Sequence, residues 1–405
     1  MINVDLALRK VLKAIKPLPK ETIKLSDSLG RTLAEDIYSA CDIPGFDNSA
    51  MDGYALKSAD TAGASLKKPK TLQVIEDVKA GDIPKNKLKS GEAIRIMTGA
   101  MLPRGADAVV MVEVTKKLKN KGKEFVEIYK GVRCGENVRN KGEDIKKGEL
   151  VLRKGALLNS AHVGVLASVG KSRVSVARRP RIAILATGNE VVDVGDKLTP
   201  GKIRSSNSYT LYSQSLNSGG VPKNLGIARD TRSQLINKIK QALDSDLILT
   251  SGGVSVGDYD LVKDVLSGLG TNIEFWKVAM RPGKPMVFGK IRGIPVFGLP
   301  GNPVSSMVAF EVFVRPAIAK MLNQNRGIHK EVEAILQEDI DKKKGLRYFL
   351  RGKTVWKNNA YLTRTTGPQG SGILKSMAQA NSLIILPEEK EFLKKGSKVK
   401  VRFLE

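Results

Sequence analysis

The sequence predicts a multidomain protein of mixed α/β and β class, built around a doubly wound α/β domain, and three observations carry that reading. At 405 residues the chain is long enough for about two to four domains of ordinary size. After Pro180, apolar strand-like runs alternate with helix-like segments, the pattern of a mostly parallel sheet with helices on its faces. On either side of that region, short apolar runs are punctuated by Gly and polar residues, which reads as strands joined by turns.

Met1 to Lys20 places Val4, Leu8, Val11, Leu12 and Ile15 at helical spacing among lysines and Asp5. With no small-residue cleavage pattern this is expected to be an amphipathic helix rather than a signal peptide. Residues 31–144 hold the strand-like runs Thr71–Val78, Ala93–Met97, Ala106–Val112 and Phe125–Tyr129. A helix-like segment from Leu150 to Gly170 is expected to pair with the first helix, so that segments 1–30 and 145–178 form one helical domain with the β-rich part inserted. Lys171 to Arg181 reads as a basic linker. Residues 179–325 then run Ile182–Thr187 (strand), a helix near Ser208–Ser218, Val221–Ala228 (strand), Arg232–Leu243 (helix) and Leu247–Thr250 (strand). Next come Tyr259–Leu269 (helix), Phe275–Ala279 and Val296–Leu299 (strands), and a long helix from Val304 to about Leu322. Residues 326–405 carry Tyr348–Leu350, Ala360–Thr363, Ser382–Leu386 and Lys398–Phe403, a small terminal β-domain.

Composition narrows the function classes. Hydrophobic residues at 41% and charged residues at 27% exclude disordered and fibrous chains. Lys and Arg outnumber Asp and Glu by 68 to 41, so a surface of net charge +27 attracts anions: nucleic acid, a membrane surface or a phosphorylated small molecule. No stretch reaches eighteen apolar residues, so a membrane-spanning helix is not expected. Cys41 and Cys134 are too few for a disulfide framework and suit a reducing cytoplasm. With only His162 and His329 besides, and none of the four near another in sequence, a Cys/His zinc site is not expected.

In an open α/β sheet, ligands bind beyond the carboxyl ends of the strands, so the loops leaving those ends are the place to look. They contain Gly188, Asn189 and Glu190; Arg229 and Asp230; Ser251-Gly252-Gly253-Val254-Ser255-Val256-Gly257-Asp258-Tyr259-Asp260; Lys277, Arg281, Gly283 and Lys284; and Pro300-Gly301-Asn302-Pro303-Val304-Ser305-Ser306. The glycine loop after Thr250 opens a helix, where backbone N–H groups can approach a phosphate, though a plain strand-to-helix turn has the same look. Asn302 stands as N-cap and Pro303 as first helical residue, again a good helix start with or without an anion. Two such loops beside Lys277, Arg281 and Lys284 favour a ligand with more than one phosphate. Carboxylates beside phosphates call for a cation such as magnesium, which points to Glu190 and Asp260, whereas helix capping fits Asp258 best and Asp230 next.

Gly253-Val254-Ser255-Val256-Gly257 matches the G-x-S-x-G nucleophile elbow, but a triad needs a histidine after the serine, and His329 alone qualifies, with no His-Gly-Gly oxyanion motif before it. An esterase is therefore not expected. In the β-rich part, Asn48 to Ala55, Ile96 to Ala100 and Gly142 to Ile145 combine carboxylates, a hydroxyl and glycines, each bland alone.

Together these segments resemble the molybdopterin molybdenumtransferase family, the MoeA type, also seen as the E domain of gephyrin. The resemblance spans the chain and rests on NSAMDGYA (Asn48 to Ala55), Thr98-Gly99-Ala100 with Gly105 to Val110, GEDI (Gly142 to Ile145), Thr187-Gly188-Asn189-Glu190, SGGVSVG (Ser251 to Gly257), RPGKP (Arg281 to Pro285) and LPGNPVS (Leu299 to Ser305). It implies a helical domain of two segments, an inserted β-domain, an α/β domain like the molybdopterin adenylyltransferases and a C-terminal β-barrel. It also implies a homodimer whose cleft lies between the α/β domain of one subunit and the β-domain of the other. The implied reaction takes adenylylated molybdopterin and molybdate, with Mg2+, and delivers molybdenum to the dithiolene while releasing AMP. By the same resemblance Asp52, Asp144, Glu190, Asp230 and Asp260 place the metal ion or assist molybdate transfer, the metal falling to Glu190, Asp230 and Asp260. Thr98, Lys277, Arg281 and Lys284 contact anions. Thr187, Gly188, Ser251, Gly252, Gly253, Ser255, Gly257, Pro300, Gly301, Asn302 and Ser305 line the cofactor loops.

Arg281 stands where some members carry lysine, and Asn189 where aspartate is common. The lysine runs 116–123 and 342–344 have no family meaning and read as solvated faces. Two rival readings remain. A nucleic-acid binder would use the charge, but 5% aromatics and no stacking motif argue against it. An adenylyltransferase shares the α/β domain and would consume ATP; such an enzyme is also a possible partner, as the source of the substrate.

Overall fold

The computed structural model describes residues 1–253, 265, 267–324 and 331–404. Its centre is a six-stranded sheet in the order Val221–Ala228, Arg181–Thr187, Leu247–Ser251, Ile294–Leu299, Pro285–Ile291, Asn272–Lys277. The first four strands run parallel, Pro285–Ile291 runs against them, and Asn272–Lys277, antiparallel to Pro285–Ile291, returns to their direction. Pro285–Ile291 is a strand the sequence did not suggest. It is joined to Ile294–Leu299 by the two-residue turn Arg292-Gly293, both at positive φ, as a tight hairpin needs. The expected helix Tyr259–Leu269 lies mostly outside the described residues. The long terminal helix is present but has a π-helical turn, Phe310–Val314, between Pro303–Ala309 and Arg315–Met321. That turn buries Glu311 against Arg315 (2.7 Å) and Gln214 (2.7 Å), tying the helix to its neighbour Ser206–Asn217.

The first helix, Val4–Ala14, does not pair with the later one. Its stripe of Val4, Ala7 and Val11, with Ile15, packs into the core formed by Phe310, Phe313, Val314 and Ile318, because that helix has the larger apolar face to cover. The second helix starts at Ser160, ten residues later than expected, since Leu150–Leu152 is taken up in pairing with Ile37–Tyr38 and Asn159 forms a capping box with His162. The basic linker is also structured: Arg173–Ala177 pairs antiparallel with Lys20–Lys24 and buries Val174 and Val176.

The inserted β-domain is a second six-stranded sheet, ordered Ala108–Met111, Gly53–Leu56, Glu92–Ile96, Lys70–Val78, Lys123–Ile128, Thr115–Asn120. Tyr54 and Leu56 face one small core, Ala55 and Ile94 the other. Gly53 permits the closest approach: a Cβ there would lie 1.9 Å from the Val110 carbonyl oxygen. The outermost strand carries Lys116, Lys117 and Lys119, charges that discourage edge-to-edge pairing.

The C-terminal domain closes on itself. Arg347–Lys357 pairs with both Ala360–Thr365 and Ser382–Leu386, and Glu331–Leu336 and Lys398–Phe403 complete the ring of a β-barrel. Met280–Arg281 adds to it in parallel at Arg347–Tyr348, which docks the barrel beside the carboxyl ends of the α/β strands. Lys342 is not part of a solvated face. It is buried, its Nζ donating to the carbonyl oxygens of Pro387 (2.7 Å) and Lys390.

Candidate active site

A cleft of about 560 Å³ opens at the carboxyl ends of the parallel strands. Glu190, Gly252, Gly253, Arg281, Lys284, Pro300, Gly301, Asn302 and Ser305, all named from sequence, line it. Thr187 and Ser251 are buried behind its floor at the ends of adjacent strands. Asn207, in the first turn of Ser206–Asn217, holds the floor together: its Nδ2 donates to Ser251 Oγ at 2.7 Å and to the Gly301 carbonyl at 2.8 Å. One buried amide thus fixes the spacing of the two glycine loops. Gly252 sits at φ +93° packed against Thr187, where a Cβ would lie 2.6 Å from the Thr187 carbonyl oxygen, so glycine lets the loop lie this close to the strand end. Asn302 holds the N-cap position of the next helix, yet its side chain makes no capping bond.

Two cations line the same cleft. Arg281 stacks over the Tyr348 ring, 5.4 Å from its centroid, and donates to the Tyr348 hydroxyl at 3.3 Å. Arg281 is thereby held by a cation–π contact and a hydrogen bond to the same side chain. Lys284 is exposed, and its side chain has no hydrogen-bond or ion-pair partner among the described residues. Lys277 ends its strand half-buried and is not among the residues lining the cleft.

The carboxylates divide. Glu190 folds its carboxylate over Gly188, close enough that a Cβ on Gly188 would lie 2.6 Å from it. Asp230 locks two loops: it accepts from Asn189 N–H at 2.9 Å while its own N–H donates to Asn189 Oδ1 at 3.1 Å. It does not cap the following helix, whose N-cap is Thr231. An aspartate at 189 would accept the same bond through a carboxylate oxygen, so Asn189 keeps the geometry and removes one charge. Asp260, with Ser255 and Gly257, lies outside the described residues. Among those described, no three His, Cys, Asp or Glu converge on one metal position. Two exposed carboxylates on adjacent loops nevertheless suit magnesium, which commonly takes one or two carboxylates and completes its shell with water and substrate phosphate.

In the β-domain, Asp52 Oδ1 accepts both the Thr98 N–H and the Thr98 hydroxyl, each at 2.7 Å. These bonds hold the carboxyl below its usual range, so it stays ionised. The pairing Gly53↔Ile96 places the two residues side by side. Asp144 is exposed in the turn after Gly142. Asp52, Thr98 and Asp144 do not line the α/β cleft of their own chain.

Sequence reasoning missed the wall supplied by the barrel. Leu346, Gln369 and Ser371 line the cleft, and Val304 N–H at the neighbouring helix start donates to Ser371 O at 3.1 Å. Their loop is held by Arg351, which is fully buried and donates to Ser376 Oγ (3.0 Å) and Gly370 O (2.9 Å). Burial pulls its pKa down to about 10. Gly367-Pro368-Gln369-Gly370-Ser371-Gly372 was the available signal, a glycine-rich run of the same kind as the two already singled out. Beyond Arg281 and Gln369 the cleft continues into a groove of about 950 Å³ along the barrel.

Comparison with known proteins follows the same lines. Residues 2–170 match the MoeA N-terminal region (domains I and II), residues 183–320 the probable molybdopterin binding domain and residues 333–404 the MoeA C-terminal region (domain IV). A molybdopterin molybdenumtransferase of Bacillus subtilis is 38% identical over 401 residues, 99% of this chain and 93% of that protein. Another, of Staphylococcus epidermidis, is 36% identical over 401 residues, covering 99% and 95%. The crystal structure of a molybdopterin biosynthesis MoeA protein from Pyrococcus horikosii, 35% identical, superposes over 100% of this chain and 99% of that one with a TM-score of 0.83.

Proposed function

The chain belongs to the molybdopterin molybdenumtransferase (MoeA) family of molybdenum cofactor biosynthesis, and from that premise we propose that its cleft takes adenylylated molybdopterin and molybdate, releases AMP and delivers molybdenum to the dithiolene. The observation that carries this is the cleft itself: two glycine loops joined by Asn207 line one space together with Arg281, Lys284 and Glu190.

The loops present backbone N–H groups to the phosphates, and Arg281 and Lys284 neutralise charge on phosphate and molybdate, with Lys277 a further cation nearby. Magnesium, held by Glu190 and Asp230 with Asp260, would supply charge stabilisation on the departing phosphate. Asp52, ionised and oriented by Thr98, and Asp144 act on molybdate or its ligands from the β-domain of a second subunit, which makes the working protein a homodimer. Support for that arrangement is the separation of these three residues from the cleft of their own chain. We place the reaction in the cytoplasm: both cysteines are exposed and unpaired, as a reducing compartment keeps them.

The test supplies purified protein with adenylylated molybdopterin and magnesium and follows AMP with and without molybdate. Molybdate-dependent AMP release accompanied by metal-loaded cofactor is expected. Consumption of ATP to make the adenylylated compound would replace this reading with the adenylyltransferase one.

A further inference from the structure

A second cavity, of about 700 Å³, lies on the opposite side of the α/β domain from the cleft. Its lining includes Arg179, just before the strand Arg181–Thr187, and Ser218 at the end of the helix Ser206–Asn217 that leads to the strand Val221–Ala228. These mark the amino ends of the parallel strands. The other wall comes from Asn159 and His162 at the start of the second helix, so the cavity straddles the seam between the helical part and the α/β domain.

Its chemistry is one-sided. Arg179, Arg315 and His162 line it, and no carboxylate does so among the described residues. Arg315 is paired with Glu311. The Arg179 side chain has no hydrogen-bond or ion-pair partner among the described residues, and its Nε is cut off from solvent without an acceptor. The adjacent Arg178 shows what such a side chain ordinarily finds here, a two-pronged bond to Asp246 at 2.9 and 2.7 Å. Burial and then the nearby Arg31 guanidinium disfavour the charge on Arg179, and Glu21, itself paired with Arg31, offsets them only in part. A half-buried guanidinium left without an acceptor is costly, and an oxyanion would complete it. His162 is fixed in place by Nδ1, which lies 3.2 Å from Asn159 N and 3.1 Å from Leu157 O, leaving Nε2 as the ring's other polar atom.

We propose that this cavity binds a small phosphate-class oxyanion, clasped by the Arg179 guanidinium, at the seam between the helical part and the α/β domain. The site is independent of the reaction proposed for the cleft. Its basic segment is the one read from sequence as a linker.

The two histidines of the chain give a local readout. The imidazole resonances of the full-length protein are recorded during titration with inorganic phosphate and, separately, with AMP, chloride matching the ionic strength; His162→Gln assigns the signal. The His162 signal is expected to move saturably with phosphate, with AMP or with both, the pattern telling free ion from phosphate ester, and not with chloride. Arg179→Gln should weaken the response about tenfold or more, and Arg179→Lys, which keeps the charge but loses the fork, at least about threefold. Lys284→Ala, which alters the cleft, should leave it unchanged. No saturable shift, an equal shift with chloride, or unaltered affinity in Arg179→Lys would each overturn the proposal, the last even where Arg179→Gln fails to fold.

Discussion

Replacing Gly252 by alanine places a single methyl group under the cleft floor. Gly252 holds φ +93°, which costs a residue with a side chain about 1–2 kcal/mol. Its new Cβ would lie 2.6 Å from the Thr187 carbonyl oxygen and 2.9 Å from the Thr187 hydroxyl. Reaching the 3.4 Å of ordinary contact takes about 0.8 Å of movement, a distance that matters where backbone positions a reacting group. Thr187 cannot recede, because it is paired with Ala228 on one side and its strand with Leu247–Ser251 on the other. The glycine loop moves instead and stretches the bond from Gly252 N–H to Leu299 O, now 3.1 Å, a further loss of about 1 kcal/mol. The expected cost is roughly 2–3 kcal/mol of stability. Displacing the phosphate-facing backbone by this much should lower turnover about a hundredfold. Urea unfolding reads the first quantity and AMP release the second. A variant with the parent's unfolding midpoint and turnover within about threefold would show that the loop neither needs glycine nor positions substrate.

Asp52→Asn and Glu190→Gln should each keep the parent's circular dichroism and lose at least about a hundredfold in turnover, since both groups are exposed and serve charge rather than packing; full activity in either would remove that residue from the reaction. Arg281→Ala and Lys284→Ala should raise KM for adenylylated molybdopterin by about tenfold each, an unchanged KM arguing against the cationic wall. Asp246 is half-buried, which raises its pKa, but the bonds from Arg178 and from Arg181 N–H outweigh this and leave the carboxyl below its usual value. Its contribution is therefore complete above the unfolded value of about 3.9 and is lost as pH falls through the lower folded value. Asp246→Asn should cost about 2 kcal/mol at neutral pH, with the gap to the parent closing in acid; a gap unchanged near pH 3 would contradict the assignment. Chelation by EDTA should suppress AMP release without lowering the melting temperature, whereas undiminished release would exclude the magnesium role.

Much of this architecture could be read from residue pattern, and the misreadings have physical causes. The α/β strands were legible because continuous apolar runs such as Ile182 to Ala186 are buried on both faces. Pro285–Ile291 was not, since it opens with proline and turns through Arg-Gly rather than Asn-Gly. Lys171 to Arg181 looked like a linker because its charges dominate, yet the uncharged run Val174 to Ala177 within it decides the outcome by burial. The glycine loops and cations of the cleft were found from their place after strand ends. Asn207 was not, because nothing in a helix start announces that its side chain will bridge two loops. Asp230 was read as ligand or cap, and the structure uses it as a loop lock, a contact 41 residues apart in sequence.

The central claim is that one reaction centre is assembled from the Asp52 region of one subunit and the Glu190 cleft of another. Mixing Asp52→Asn subunits with Glu190→Gln subunits, each inactive alone, tests it directly. A shared centre leaves every mixed dimer one intact site, so random exchange should restore about a quarter of the parent's molybdate-dependent AMP release. If mixed dimers form and remain as inactive as either variant, each centre belongs to a single chain.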